Sequence, residues 1–371
     1  MNTPQVLLVG AGMIVHDQIL PSLYHLQRLG RIGGITVCAR RADALQSLSD
    51  AEPLRLAFPE QSFTSSLEPF HNAVKRLPPR QIVFVAVPDQ LHYELIMGAL
   101  AHDQHVCTVK PLVLEAHHGA EIAAEAERRG LVAAIDYHKR FDDRSLMARR
   151  AYREGRFGEF RLGTACLLEK WYYRRSNFQN WMTAAYSDAF TYIGCHYVDL
   201  VHFITGLLPV AVSVYGIPDR FPNGAEGYLW TDARVIWENG ACLNVQNALG
   251  YPDAAPGSNT QGLTMYCQGG DDGGLISHSD QYRGLKYSYA DPPSYSEPSP
   301  DYFQYVEWNG PGLAPAGYGF RSIEQMISAA AAGDVASPLI ATAANSRFND
   351  AVIEAGRKSL LDGGRMVDVA R

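Results

Sequence analysis

Val6-Leu7-Leu8-Val9-Gly10-Ala11-Gly12 is the stretch on which the fold turns. Four consecutive apolar residues read as a strand covered on both faces, the pattern of a parallel sheet. The run opens directly into Gly-x-Gly and then into a helical stretch from Ile14 to about Gly30. A strand, a glycine turn and a helix in that order suit a pyrophosphate: the glycines permit a tight turn and close approach, and the helix N-terminus favours negative charge. Gly10, Gly12, Met13 and Ile14 are therefore candidate cofactor contacts. The third glycine position of the usual fingerprint is Val15, so the motif is incomplete.

Outward from this stretch, the first third of the chain alternates strand and helix. Ile35 to Ala39, Ile82 to Val87, His105 to Val109 and Leu131 to Ile135 read as strands, with helices from Leu91 to His102 and from Ala116 to Arg129. Such βαβ repetition predicts a doubly wound parallel sheet, an α/β Rossmann domain over residues 1–137. Beyond Tyr137 the rhythm changes. Asp142 to Glu154 reads as a helix stopped by Gly155, followed by strands at Phe160–Glu169, Val210–Tyr215, Asp232–Trp237, Ala241–Gln246 and Leu263–Cys267. Asn239-Gly240 marks a hairpin between two of them. Residues 138–371 are thus expected to form an α+β domain with a large, mostly antiparallel sheet. Gly269 to Pro315 reads as ordered loops over that sheet, and Ser322 to Ala332 and Ala341 to Leu361 as helices that are candidates to pack back on the first domain.

Bulk properties narrow the function. A chain of 371 residues exceeds one average core and predicts two domains. The net charge of -7 removes any electrostatic reason to expect a nucleic-acid partner. Cys38, Cys107, Cys166, Cys195, Cys242 and Cys267 are scattered without a C-x-x-C pair, which argues against a zinc site or a disulfide framework, so no metal is expected. The N-terminal apolar run lacks a basic flank and a cleavage site, and no window approaches the ~18 apolar residues of a membrane helix. The expectation is a soluble, cytoplasmic protein without a membrane partner. Tyr is frequent, at 20 residues. Its ring face matches the C–H face of a pyranose, and it serves equally as half-buried packing.

An acidic residue ending the second strand would accept hydrogen bonds from the ribose of NAD. Here the strand ends Cys38-Ala39-Arg40-Arg41. Arg40 or Arg41 could pair with the 2′-phosphate of NADP, stack on adenine, or simply be solvated, which leaves NAD or NADP open with a lean to NADP.

Val87-Pro88-Asp89-Gln90-Leu91-His92, followed by His105-Val106-Cys107-Thr108-Val109-Lys110-Pro111, resembles the Gfo/Idh/MocA oxidoreductase family. Gly194-Cys195-His196-Tyr197-Val198-Asp199-Leu200 is similar to that family's G-x-H-x-x-D helix, with Gly206 where such helices stop. The resemblance implies a cofactor edge including Pro88, His92 and Lys110, the last contacting both substrate and nicotinamide. It also implies an open-faced second sheet used for substrate binding and oligomerisation, and hence a homodimer or homotetramer. Two departures stand out. Val109 occupies the position of the family's Glu in Glu-Lys-Pro, and Tyr192 stands four residues before His196 where an Asp is usual.

The chemistry of these residues can be stated independently. Removing a hydride from a secondary alcohol requires the hydroxyl proton to leave with it, and a lysine or histidine suits that task. Lys110 and His196 are the candidate acid/base pair, with the Tyr192 hydroxyl as a substitute for the missing acid. Asp199, one helical turn from His196, is placed to orient the imidazole or to sit quietly in the core. His138 and Lys139, after a parallel strand, are candidate substrate contacts. So are Trp171, Arg174, Arg175 and Asn177, which mix rings, cations and an amide in a way that suits a polyol with an anionic substituent. Tyr228, Trp230 and Gln246 read as sheet residues at an interface. The expected activity is nicotinamide-dependent oxidation or reduction of a secondary hydroxyl on a small-molecule carbohydrate, a sugar or glycoside. The resemblance also admits an NAD-dependent glycosidase that works by transient C3 oxidation, elimination, hydration and re-reduction, on an anionic sugar such as a sulfosugar glycoside. A non-catalytic nucleotide sensor is disfavoured by the presence of both Lys110 and His196.

Overall fold

The computed structural model describes residues 3–279, 284–335 and 337–370. Two compact units emerge: residues 1–113, 117–141 and 301–345 form one, and 114–116, 142–300 and 346–371 form the other. A single cut after residue 137 therefore does not separate them, because the chain re-enters the first unit late.

In chain order, the elements begin with β1 (Val6–Val9), α1 (Leu20–Arg28), β2 (Ile35–Cys38), α2 (Ala42–Ser49), α3 (Glu52–Ala57) and β3 (Thr64–Ser66). Next come α4 (Phe70–Lys75), β4 (Ile82–Val85), α5 (His92–Ala101), β5 (His105–Val109), α6 (Ala116–Arg129) and β6 (Ala133–Asp136). The middle of the chain supplies α7 (Asp143–Arg153), β7 (Glu159–Lys170), α8 (Cys195–Thr205), β8 (Pro209–Arg220), β9 (Glu226–Trp237) and β10 (Cys242–Tyr251). It continues with β11 (Asn259–Gln268), β12 (Gly274–Ser279), β13 (Tyr287–Ala290) and β14 (Pro293–Ser296). The remainder holds β15 (Gln304–Val306), β16 (Ala314–Ala316), α9 (Tyr318–Ala332), β17 (Ala341–Thr342), α10 (Arg347–Leu361) and β18 (Val367–Asp368).

The first unit is a Rossmann-type sheet in the order β17-β6-β5-β4-β1-β2-β3. Strands β1 to β6 are mutually parallel, and β17 is an antiparallel edge. Strand order reverses on either side of β1, so a crevice opens at its carboxyl end, where ligands of such sheets bind. Above β1 the chain makes one widened helical turn, Val15–Ile19, closed by a hydrogen bond from the Leu20 N–H to the Val15 carbonyl five residues back. Pro21 follows and has no N–H to give the Asp17 carbonyl, which explains why the regular ladder gives way here. Val15 and Ile19 are fully buried and pack into one core with Leu8, Val37 and Phe84 of the sheet and Ile323 and Met326 of α9.

The second unit is built on a seven-stranded sheet, β12-β11-β7-β10-β9-β8-β18. It is antiparallel except where β7 and β10 run parallel. Alternation is clean: Leu243, Val245, Val235, Trp237 and Met265 are buried on one face, while Thr164, Asn244, Gln246, Asp232 and Arg234 line the other. The Asn239-Gly240 turn joins β9 to β10, with Gly240 at φ +81° and its N–H donated to the Trp237 carbonyl at 2.8 Å. Gly206, at φ +85°, ends α8 as expected.

Three expectations are corrected. Gly269 to Pro315 is not only loop: it contains β12, β13, β14 and β15, and it reaches into β16. The alternation of buried Ile276 and His278 with exposed Leu275, Ser277 and Ser279 marks β12 as half-covered sheet; residues 280–283 of this stretch lie outside the described residues. Ala341 to Leu361 does not begin as helix. Ala341 and Thr342 pair with β6, and the Asn345 side chain then accepts the Thr342 N–H at 2.8 Å and donates to the Ile340 carbonyl at 2.9 Å, a local turn that delays α10. Several strands of the second sheet, β8 above all, also run longer than their apolar alternation indicated.

Asp350 lies on α10, fully buried, with neither carboxyl oxygen hydrogen-bonded. Burial pushes its pKa well above the usual carboxylate range, against a smaller opposing pull from Arg347. The unfolded chain ionises this group near pH ~3.9, so above that pH the folded state holds the extra proton and stability falls as pH rises towards the folded pKa. Asp350→Asn should therefore stabilise the protein at pH 7 by about 1–3 kcal/mol, with the gain vanishing towards pH ~4. Denaturant melts of the two proteins across that range measure it, and a gain independent of pH would contradict a neutral buried acid.

Candidate active site

The carboxyl edge of the first sheet assembles most of the residues singled out above. Gly10 sits at φ +118°, and a Cβ there would lie 2.1 Å from the Ala86 carbonyl oxygen, so its glycine is required by packing of β1 against β4. A Cβ on Gly12, by contrast, would meet nothing within 4 Å. Gly12 thus leaves open space at the start of the helical stretch, where its carbonyl takes the Val15 and His16 N–H groups. Met13 and Ile14 are half-buried beside it. The bulk of Val15, at the third glycine position, is absorbed below the widened turn. At the end of β2, Arg40 and Arg41 are exposed, and Arg41 is ion-paired with Asp43.

Pro88, half-buried, starts the short turn that carries His92. His92 itself is fully buried. Its Nε2 is 2.9 Å from the Val87 carbonyl and its Nδ1 2.8 Å from that of Pro111. The direct cofactor contact expected of His92 is thus replaced by a brace that ties the end of β4 to the loop just beyond Lys110. Lys110, 9 % exposed, closes β5.

One strand over, Asp136 is buried at the end of β6. Its Oδ1 accepts from the Ser322 hydroxyl at 2.5 Å, and its Oδ2 accepts from Gln18 Nε2 at 2.9 Å. His138 Nδ1 lies 3.7 Å from the same Oδ2. Burial, the largest influence, pushes the His138 pKa down; Asp136 pulls it up, and Lys139 and Lys110 push it down again. Lys139 is buried as well. No motif announces Gln18 or Ser322. The available signal was phase: Gln18 and Ser22 share a helical face with Val15, Ile19 and Leu23, polar residues where apolar ones are due.

In the second unit, α8 carries His196 in its first turn and Asp199 one turn on, both buried. The helix is entered through another widened turn, Phe190–Gly194, in which the Cys195 N–H reaches the Phe190 carbonyl. Asp188 caps this entry by accepting the Thr191 N–H at 2.8 Å and its hydroxyl at 2.7 Å. Tyr192 lies on the widened turn, its ring 4.9 Å from Phe178 and 5.5 Å from Trp181. The Lys170–Trp181 loop and the His196 helix are thereby joined by a ring cluster. Asn177 is exposed and accepts from the Asn180 amide at 2.9 Å. Trp171 and Arg175 are exposed.

Arg174 has a different place from the one expected. It is 2 % exposed, with its guanidinium 3.8 Å from the Trp171 ring centre and 5.1 Å from that of Trp230. It donates to the Leu249 carbonyl and to Asp219 Oδ2, each at 2.6 Å. Although burial works to raise it, the Asp219 pKa is held below the usual range by Arg174 and the Trp230 N–H. Arg174 is a structural cation already paired with an internal anion, so the expectation that it greets an anionic substrate is corrected. A shallow concavity of about 650 Å³ on the open sheet face, lined by residues such as Thr164, Asn244, Gln246 and Thr260, contains none of the candidate catalytic groups.

Residues 5–137 match the model of an oxidoreductase family with an NAD-binding Rossmann fold, and residues 145–270 match the C-terminal domain of the same Gfo/Idh/MocA group. The chain belongs to the Gfo/Idh/MocA oxidoreductase family. D-glucoside 3-dehydrogenase of Escherichia coli is 26 % identical over 215 residues, which are 57 % of this chain and 56 % of that protein. The NADP-dependent scyllo-inositol 2-dehydrogenase of Bacillus subtilis is 27 % identical over 107 residues, 29 % of either chain. The matches thus span less than two thirds of these relatives. Among solved structures, a protein of gentamicin A biosynthesis in complex with NAD superposes with a TM-score of 0.74 at 19 % identity, covering 100 % of this chain and 97 % of that one. The scyllo-inositol dehydrogenase of Lactobacillus casei, with NAD(H) and scyllo-inositol bound, gives 0.67 at 16 % identity with both chains fully covered, 100 % each. At these identities the likeness establishes the fold.

Two measurements separate framework from site. Gly10→Ala should destabilise the protein by about 3 kcal/mol or more, through its backbone clash. Gly12→Val should leave the melting temperature nearly unchanged and abolish nucleotide binding by calorimetry. Equal effects of the two on stability would remove the distinction. Arg174→Ala should cost about 2–3 kcal/mol in a urea melt, from lost charged hydrogen bonds and ring packing. Its effect on turnover should be the same for neutral and anionic substrates; selective loss of anionic ones would reinstate it as a substrate contact.

Proposed function

We propose that this protein is a nicotinamide-dependent oxidoreductase acting on a secondary hydroxyl of a sugar, polyol or glycoside. The observation that carries the reading is Lys110, buried at the carboxyl end of β5 on the sheet edge that also holds the open Gly12 position. When bound, the nicotinamide supplies the acceptor or donor of the hydride. Gly12, Met13 and Ile14 would hold its pyrophosphate at the helix start. Lys110 takes the proton of the reacting hydroxyl, and His196 is the acid/base partner, oriented by Asp199 in its own helix. His138 and Lys139 meet the substrate on the same edge as Lys110. Trp171, Arg175 and Asn177 supply a ring face, a cation and an amide to the rest of the sugar, and the Tyr192 hydroxyl stands in for the missing acid.

A cofactor with a 2′-phosphate requires a cation to meet that group. With Arg41 paired to Asp43, Arg40 is the residue on which NADP would depend. The open face of the second sheet, with Leu162, Tyr266 and Leu275 exposed on it, suits burial against another copy in a homodimer or homotetramer. A second reading keeps NAD bound, reduces and reoxidises it within one turnover, and yields net hydrolysis of a glycoside. It is favoured by His138 and Lys139, two further ionisable groups near the end of the strand beside Lys110.

The test offers NAD or NADP with a panel of free sugars and aryl glycosides, following reduced nicotinamide and released aglycone together. Accumulation of reduced cofactor in proportion to product supports the dehydrogenase. Aglycone release that needs the nucleotide without net reduction supports the cycling glycosidase. In either case Lys110→Ala should lower kcat by about 10²–10⁴-fold while nucleotide affinity persists; near wild-type turnover would overturn the assignment.

A further inference from the structure

We infer that Asp136 is a positioning residue that orients His138 as a second proton-handling group beside Lys110. The inference rests on the reading of Lys110 as the base at the reacting centre. Strands β5 and β6 are parallel with Val109 opposite Asp136, so Lys110 and Tyr137 leave the sheet side by side and His138 is the next residue. The Asp136 carboxylate has a fixed direction. Ser322 donates to one oxygen and Gln18 to the other. Gln18 is itself locked, because its carbonyl oxygen accepts the Tyr302 hydroxyl at 2.6 Å while its amide also donates to the Gly319 carbonyl at 3.2 Å. Turning that amide over would aim its oxygen at the Asp136 carboxylate and the Gly319 carbonyl and lose both bonds. Between Asp136 and the His138 ring the separation is 3.7 Å, and the ring is flanked by those of Tyr302 and Tyr318 at 5.3 and 5.6 Å.

A carboxylate on the Nδ1 side favours the tautomer with its proton on Nδ1 and makes Nε2 the basic nitrogen. In oxidation a bound nicotinamide would supply the hydride acceptor, and the hydroxyl proton goes to the Lys110 amine. That proton then passes to His138 Nε2, which regenerates the neutral amine and leaves an imidazolium balanced by Asp136. Reduction runs the same proton back. The groups facing the ring are Asp136 from β6, Lys110 from the end of β5, the phenols of Tyr302 and Tyr318, and the adjacent Lys139. Burial and the two lysines favour the neutral imidazole, and Asp136 opposes them.

The experiment has an arm independent of turnover. In the full-length protein with ¹³C-labelled histidine, the His138 signal, assigned by its loss in His138→Gln, is titrated by NMR. Asp136→Asn removes the charge that raises the imidazole pKa, so the midpoint should move to lower pH; an unmoved midpoint overturns the positioning role. In the kinetic arm, His138→Gln should lower kcat by about 100-fold with KM within a few-fold. Asp136→Asn should move the acidic limb of the kcat profile to lower pH, and Ser322→Ala, which keeps the charge and loosens its direction, should lower kcat without moving that limb. A rise in KM alone for His138→Gln would make His138 a binding residue and overturn the proposal. Should Lys110→Ala keep wild-type turnover, the reading of Lys110 fails and the relay fails with it, while the NMR arm still decides whether Asp136 controls His138.

Discussion

A carboxylate removed from water has to be hydrogen-bonded, because an unsatisfied buried charge costs several kcal/mol. Asp136 meets that requirement with two donors that lie far away in sequence, Gln18 and Ser322. One stands on the widened turn just after Gly10 and Gly12, and the other on α9. Satisfying a single side chain therefore fixes three segments against one another: the helical stretch above β1, the end of β6, and the 301–345 return. The widened turn at Val15–Ile19 belongs to the same constraint, since it presents Gln18 to the carboxylate while Val15 and Ile19 stay in the core.

The second unit solves a similar problem with opposite consequences. Arg174 is a buried cation, but its field is closed by Asp219 and by two indole faces. Lys170 is likewise spent, with its ammonium donating to the carbonyls of Pro252, Asp253 and Ala255. These charges hold a loop in shape. On the edge of the first sheet, two lysines and one carboxylate act on the His138 imidazole, and burial weighs more than any of them.

The sequence made the local features legible and left the distant ones dark. Apolar β1 running into Gly-x-Gly, Lys110 at a strand end, and the His196–Gly206 helix each follow from neighbours a few residues away, and each stands where expected. Arg174 and Arg175 could not be told apart, because the difference lies in Asp219 and Trp230, which only the folded β8 and β9 bring near. His92 looked like a cofactor contact for the same reason: its carbonyl partners include Pro111, nineteen residues on. The second half of β8 was missed because Gly216 and Pro218 break its pattern while its pairing with β9 continues across a register shift. Gln18 and Ser322 were readable only as polar residues out of phase with their helices, a hint without a destination.

The late return of the chain has a consequence for how the protein is made. When residues 1–141 leave the ribosome, the sheet they form lacks the apolar face of α9, with Ile323, Met326 and Ile327, and β6 lacks the strand that pairs with its outer edge. Both are supplied only after residue 300. The nucleotide unit must wait, incompletely covered, through the synthesis of most of its neighbour, although vectorial synthesis ordinarily lets an N-terminal domain fold first. Its completion therefore depends on the emergence of residues 301–345.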